Sequence, residues 1–134
     1  MAEPAQYLDL EGLQYYTDWL RKKILNITPI NTTTNTTYTF SLSGNERAHI
    51  VPVVDKPVNI TFTANNKQNS TVTQEVYFTM GSTLKTVTLG SPTPNGIKWV
   101  KTPIFNANKT YLISVTITNV SGTQYPVGMF VEMD

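Results

Sequence analysis

Cysteine is absent from this 134-residue chain, and histidine occurs once, as His49. The first absence removes disulfides and thiol chemistry, and the second leaves no material for a histidine-based zinc site. Charge is sparse too. Ten Lys or Arg face nine Asp or Glu, for a formal charge of +1 and a pI near 7.9. That balance provides no field to draw a nucleic acid or an anionic membrane, so neither is expected as a partner. No apolar run approaches the roughly 18 residues of a spanning helix. The opening MAEPAQYLDLEG lacks the basic and apolar regions of a signal peptide, so synthesis in the cytoplasm is expected. A Gly-rich phosphate loop is missing as well, and no cofactor is expected.

What remains is 40% hydrophobic, enough for one packed core at this length. One stretch reads as helix: LDLEGLQYYTDWLRKKI, residues 8–24. Asp9 suits an N-cap, Glu11 places negative charge in the first turn, and Arg21, Lys22 and Lys23 place positive charge in the last. Leu10, Leu13, Leu20 and Ile24 fall at heptad a and d spacing with Thr17 among them, and Tyr16 and Trp19 widen the apolar stripe. Gly12 costs roughly 1 kcal/mol relative to Ala in a helix interior, which points to a close neighbour rather than to helix propensity. Such a helix spans about 24 Å and is marginal alone, so its apolar face needs a partner.

The rest reads as strands. NITPINTTTNTTYT, from residue 26, is too polar for a core and too β-branched for a helix, and it is expected to be an extended connector. Period-two runs follow at residues 38–43, 49–54, 58–64, 75–80, 84–90, 97–100, 110–119 and 127–133. They are separated by turn residues such as Ser43-Gly44-Asn45, Asn95-Gly96 and Ser121-Gly122, which suggests short, hairpin-like connections. In TYLISVTITN the inward set is Tyr111, Ile113, Val115 and Ile117, leaving the other face wet. That alternation, with no crossover helices, predicts an antiparallel, jelly-roll-like β-sandwich after the N-terminal α-helix. Pro52 and Pro126 point to edges or bulges. The expected organisation is an anchoring or oligomerisation helix in 1–25, a linker in 26–37 and the sandwich in 38–134.

Catalytic material is thin. Four acids, Glu46, Asp55, Glu75 and Glu132, scatter over the strand region. A glycosidase pair of Glu46 with Asp55 is weighed against surface solubility, and solubility is favoured. His49 reads as a structural strand residue, and no metal site or enzymatic activity is expected. Trp99 is expected to be buried or at an interface rather than to serve as a sugar platform, while Tyr77 and Tyr125 are further aromatics of the strand region. Seven Asn-x-Ser/Thr sequons begin at Asn26, Asn31, Asn35, Asn59, Asn69, Asn108 and Asn119. Taken alone they suggest a secreted glycoprotein, but Thr alternating in strands and Asn marking turns give the same pattern.

Two stretches carry a resemblance. Leu8, Asp9, Leu10, Gly12, Leu13 and Tyr16, with Leu20 and Ile24 in the apolar slots, resemble a motif of the form LDLxGLxxYxxxIKxxI, found near the start of virion fibre and tail-associated proteins of bacteriophages. Phe105, Ala107, Asn108, Lys109, Tyr111, Ile113, Ser114 and Val115 resemble the FxANKxYxIS[IV] stretch that closes many Bacteroides-phage fibre and head-decoration proteins. The chain continues beyond that strand, where such proteins often end. The resemblance, to fibre or decoration proteins such as those of crAss-like phages, implies a structural virion protein located in the particle. Its expected partners are further copies of itself, with a homotrimer favoured, and the capsid or other virion proteins. In a trimer Leu10, Leu13, Thr17, Leu20 and Ile24 would face the axis; as a docking helix, the broader face with Tyr16 and Trp19 would enter a groove. The alternative is a carbohydrate-binding adhesin module gripping a host-surface glycan.

Overall fold

The computed structural model describes residues 27–31 and 35–133. The expected helix, with Leu10, Leu13, Tyr16, Thr17, Trp19, Leu20 and Ile24, lies outside the described residues. Nine strands form: β1 (Ile27–Ile30), β2 (Tyr38–Leu42), β3 (Arg47–Val54), β4 (Val58–Phe62), β5 (Ser70–Met80), β6 (Val87–Gly90), β7 (Lys98–Trp99), β8 (Thr110–Val120) and β9 (Thr123–Met133). Among the described residues no helix occurs, and the fold is mainly β. One sheet has six strands in the order β1-β3-β5-β8-β9-β7, and the other has three, β2-β4-β6.

The pairing corrects the antiparallel, jelly-roll expectation. β1 with β3, β3 with β5, β2 with β4, β4 with β6 and β7 with β9 all run parallel. Antiparallel pairing is confined to β5 with β8 and β8 with β9. A parallel pair needs a crossover; for the pairs among β1 to β6 a strand of the opposite sheet supplies it, and between β7 and β9 the chain passes through β8 of the same sheet. From β1 to β6 the chain changes sheet at every step, so no helix is required. Alternating patterns persist because each sheet buries one face only: β4 reads buried, exposed, buried, exposed, buried. Ile27–Ile30, inside the expected connector, is an edge strand beside β3. The hairpin-like expectation holds at β8–β9, where Ser121 (φ 52°) and Gly122 (φ 94°) form a two-residue turn with both φ positive, the type I′ pattern.

Both sheets feed one core. Tyr38, Leu42, Val58, Ile60 and Phe62 come from the small sheet, and Ala48, Ile50, Val54, Val76, Phe78 and Met80 from the large one. The predicted inward set Tyr111, Ile113, Val115 and Ile117 is wholly buried. Each such aliphatic side chain contributes roughly 1.5–3 kcal/mol on burial. Pro52 sits at a register shift in β3, between Ile50 and Val54, as a bulge residue would.

Polar groups inside the fold tie elements together. Gln74 is fully buried; its Nε2 donates to the Thr63 carbonyl (2.9 Å) and its Oε1 accepts from the Thr63 amide (3.0 Å). Asn65, in the β4–β5 connection, is a second hub. Its carbonyl accepts from Asn119 Nδ2 and Gln124 Nε2, both at 2.7 Å, and its own Nδ2 donates to the Ser70 and Ile117 carbonyls. That connection is thereby fastened to the β8–β9 hairpin. Asn119, one of the sequon asparagines, is buried with its amide committed to this hub.

At the β7 edge, Trp99 pairs with Gly128, and its half-buried ring packs against the core. A Cβ built on Gly128 would overlap the Trp99 ring. Gly128→Ala is therefore expected to push the indole off β9 and to destabilise the fold by about 1–3 kcal/mol, read as a lower urea midpoint. An unchanged midpoint would show that Trp99 is not seated on β9.

Candidate functional site

Alternation along β9 sends Pro126, Gly128 and Phe130 inward and Tyr125, Val127, Met129 and Val131 outward. The outward four are apolar yet 54%, 41%, 54% and 41% exposed, forming a straight column on the outer face of the six-stranded sheet. Register carries the apolar character across the sheet. Val131 lies opposite Leu112, Leu112 opposite Tyr77, Tyr77 opposite His49 and His49 opposite Pro29. His49 meets Tyr77 edge to face, with ring centroids 5.0 Å apart. A shallow cavity of about 380 Å³ opens there, lined by Arg47, His49, Glu75, Tyr77 and Leu112.

Polar groups on this face are paired with one another. Thr71 with Thr118, Thr73 with Thr116 and Thr79 with Thr110 form cross-strand hydroxyl pairs at 3.1, 3.3 and 2.9 Å. Arg47 Nε and Glu75 Oε2 are 2.6 Å apart. A face satisfied internally in this way loses little when water is removed from it.

A cleft of about 410 Å³ lies at the other end of β9, between the 93–98 segment and the start of the strand. Thr93, Asn95, Lys98, Gln124 and Tyr125 line it. Gln124 is committed to Asn65, whereas Asn95, Lys98 and Tyr125 are exposed. The aromatic residues thus divide: Tyr77 and Tyr125 are open to solvent, and Trp99 is packed.

The four acids of the strand region each hold a structural partner. Glu46 accepts from the Ser43 amide (2.8 Å), Asp55 from the Tyr38 hydroxyl (2.9 Å), Glu132 from the Tyr111 hydroxyl (3.1 Å), and Glu75 pairs with Arg47. Glu46 and Asp55, weighed as a glycosidase pair, are thus each tied to a separate group. Among the described residues no three of His, Cys, Asp or Glu group to hold a metal ion.

The FxANKxY stretch acts as scaffolding. Phe105 meets Tyr111 edge to face (5.1 Å) and Phe130 likewise (5.5 Å). Asn108 adopts φ 60°, a conformation Asn tolerates, and its amide donates to the Gly81 carbonyl (3.1 Å). The Lys109 carbonyl accepts from the Met80 amide (2.8 Å). The motif therefore shapes the entry to β8 and brings no reactive groups together.

The outward apolar column on β9 is a candidate surface outside the residues that the sequence singled out. Its signal was present in residues 125–131, where neither alternating set carries a charge although the sheet has a wet face. Comparison with protein-family models, curated proteins and solved structures finds no match.

Two tyrosines gain hydrogen-bonded carboxylate neighbours on folding. Burial pushes the Tyr38 hydroxyl above its ordinary value of 10.0, with the Asp55 carboxylate adding to the rise. Burial does the same at Tyr111; Glu132 reinforces it, and contacts with Asn106 oppose it. The unfolded chain therefore loses these protons first as pH rises, and the stability they contribute is present below about pH 10 and lost above it. Urea unfolding between pH 8 and 11.5 should show a decline beyond pH 10 that is shallower in Tyr38→Phe/Tyr111→Phe. Equal slopes would remove these two hydroxyls from the account.

Proposed function

We propose that this chain is a non-enzymatic structural subunit of a bacteriophage particle, a head fibre or capsid decoration, that docks or oligomerises through a helix at residues 8–24 and displays its β domain. The observation that carries this reading is the exposed apolar column of β9. Contiguous apolar surface continued by Leu112 and Tyr77 is the mark of a protein contact site rather than of a catalytic cleft. The heptad spacing of Leu10, Leu13, Thr17, Leu20 and Ile24 supports it, as does the resemblance of the two motifs to phage fibre and decoration proteins.

Because β1 begins at Ile27, shortening the chain to residue 36 would strip an edge strand from the large sheet. Substitutions in the full chain avoid that. Light scattering should find the full chain as a multimer, a trimer on this reading, and Leu13→Asp/Leu20→Asp as a smaller species with unchanged β-sheet circular dichroism. A full chain that stays monomeric from micromolar to millimolar concentration would sink the self-assembly part of the reading.

The cleft beside Tyr125 favours glycan binding as a second reading. An exposed aromatic ring flanked by Thr93, Asn95 and Lys98 offers a stacking surface and hydrogen-bonding groups to a sugar. On a glycan array, binding by the full chain that Tyr125→Ala abolishes would support that role, and silence across the array would remove it.

A further inference from the structure

Inside the sandwich every large apolar side chain of β8 is sealed, yet on the outer face of β9 Tyr125, Val127, Met129 and Val131 stand in water. We infer that this face packs against a second copy of the same chain, column against column, so that the β domain carries a self-association surface of its own. The inference rests on the assembly reading above and assigns a particular surface to it.

Area is the first support. The outward face of β1, β3, β5, β8 and β9 measures roughly 700 Å² from standard strand rise and spacing, close to the roughly 800 Å² per partner of a stable interface. Charge is the second. Symmetry brings like residues together, so a self-pairing face must carry little uncompensated charge. Arg47 and Glu75 are the only Lys, Arg, Asp or Glu among the outward residues of β3, β5, β8 and β9, and they pair with each other. Lys98 borders the column, in register with Val127, on β7 at the open edge of the sheet. Six threonine hydroxyls of β5 and β8 are likewise paired within the face.

Shape is the third. The column runs along one strand with its residues about 6.8 Å apart, covering roughly 20 Å from Tyr125 to Val131. A two-fold axis crossing the middle of the column at right angles to the strands lays β9 on β9 and the rest of the face on its counterpart in the second copy, so that residues near the axis meet their own copies. Every inward methyl group already has its place in the core, so the column can be covered without rearranging the fold.

The absence of cysteine gives a direct test, because any disulfide formed by a single-cysteine variant must join two chains. Tyr125→Cys, Val127→Cys, Met129→Cys and Val131→Cys would be made one at a time in the full chain and oxidised. A disulfide requires Cα atoms about 4.4–6.8 Å apart, so only positions facing their own copies react readily. The control is Thr61→Cys, exposed on β4 of the opposite sheet.

At least one column position should form covalent dimer on the order of a hundredfold faster than the control, as expected when association raises the local thiol concentration to millimolar. If the full chain is multimeric and all four column positions react no faster than Thr61→Cys, the face is not the interface. Another surface or residues 8–24 then hold the assembly, and the broader reading survives. A full chain that light scattering shows to be monomeric would overturn both.

Discussion

Two parallel strands cannot be joined by a tight turn, and this chain meets that constraint by passing through the opposite sheet at every step from β1 to β6. Each crossover is itself a strand, and each places an inward row in the common core. Each crossover strand therefore serves sheet pairing and core packing together. Most contacts link residues distant in sequence, so the fold belongs to the slow, non-local class in which loop closure precedes its reward.

The antiparallel end of the molecule does different work. β5, β8 and β9 are eleven residues each, and the hairpin between β8 and β9 is the one local element among the described residues. It closes the large sheet and receives the Asn65 hub, which joins the β4–β5 connection to the hairpin through Asn119 and Gln124. The aromatic group of Phe78, Phe105, Tyr111 and Phe130 seals the other end of β8. Short strands that cross and long strands that close are thus pinned to each other by a polar cluster at one end and an aromatic one at the other.

Strand positions were largely legible in the sequence because alternation survives either direction of pairing. All eight period-two runs became strands, and Tyr111, Ile113, Val115 and Ile117 point inward as their spacing requires. Direction was not legible, since a half-buried strand reads alike beside a parallel or an antiparallel neighbour. Ile27–Ile30 was hidden by Pro29 and by its polar surroundings. Of the candidate surface, the aromatic and aliphatic residues were visible, but which parity of β9 faced solvent depended on Gly128 yielding its inward side to Trp99. The FxANKxY resemblance drew attention to residues whose roles are a left-handed turn and an aromatic cage.

The committed amide of Asn119 bears on how its sequon is read. In a compartment that attaches sugar to nascent Asn-x-Ser/Thr segments, Asn119 would be modified before the β8–β9 hairpin closed. A glycan on Nδ2 would take a donor that Asn65 needs and would place a bulky, hydrated group where the fold has 3% exposure. The Asn-x-Ser pattern at Asn119 is thus a by-product of turn chemistry, and the folded hairpin has no room for a sugar there.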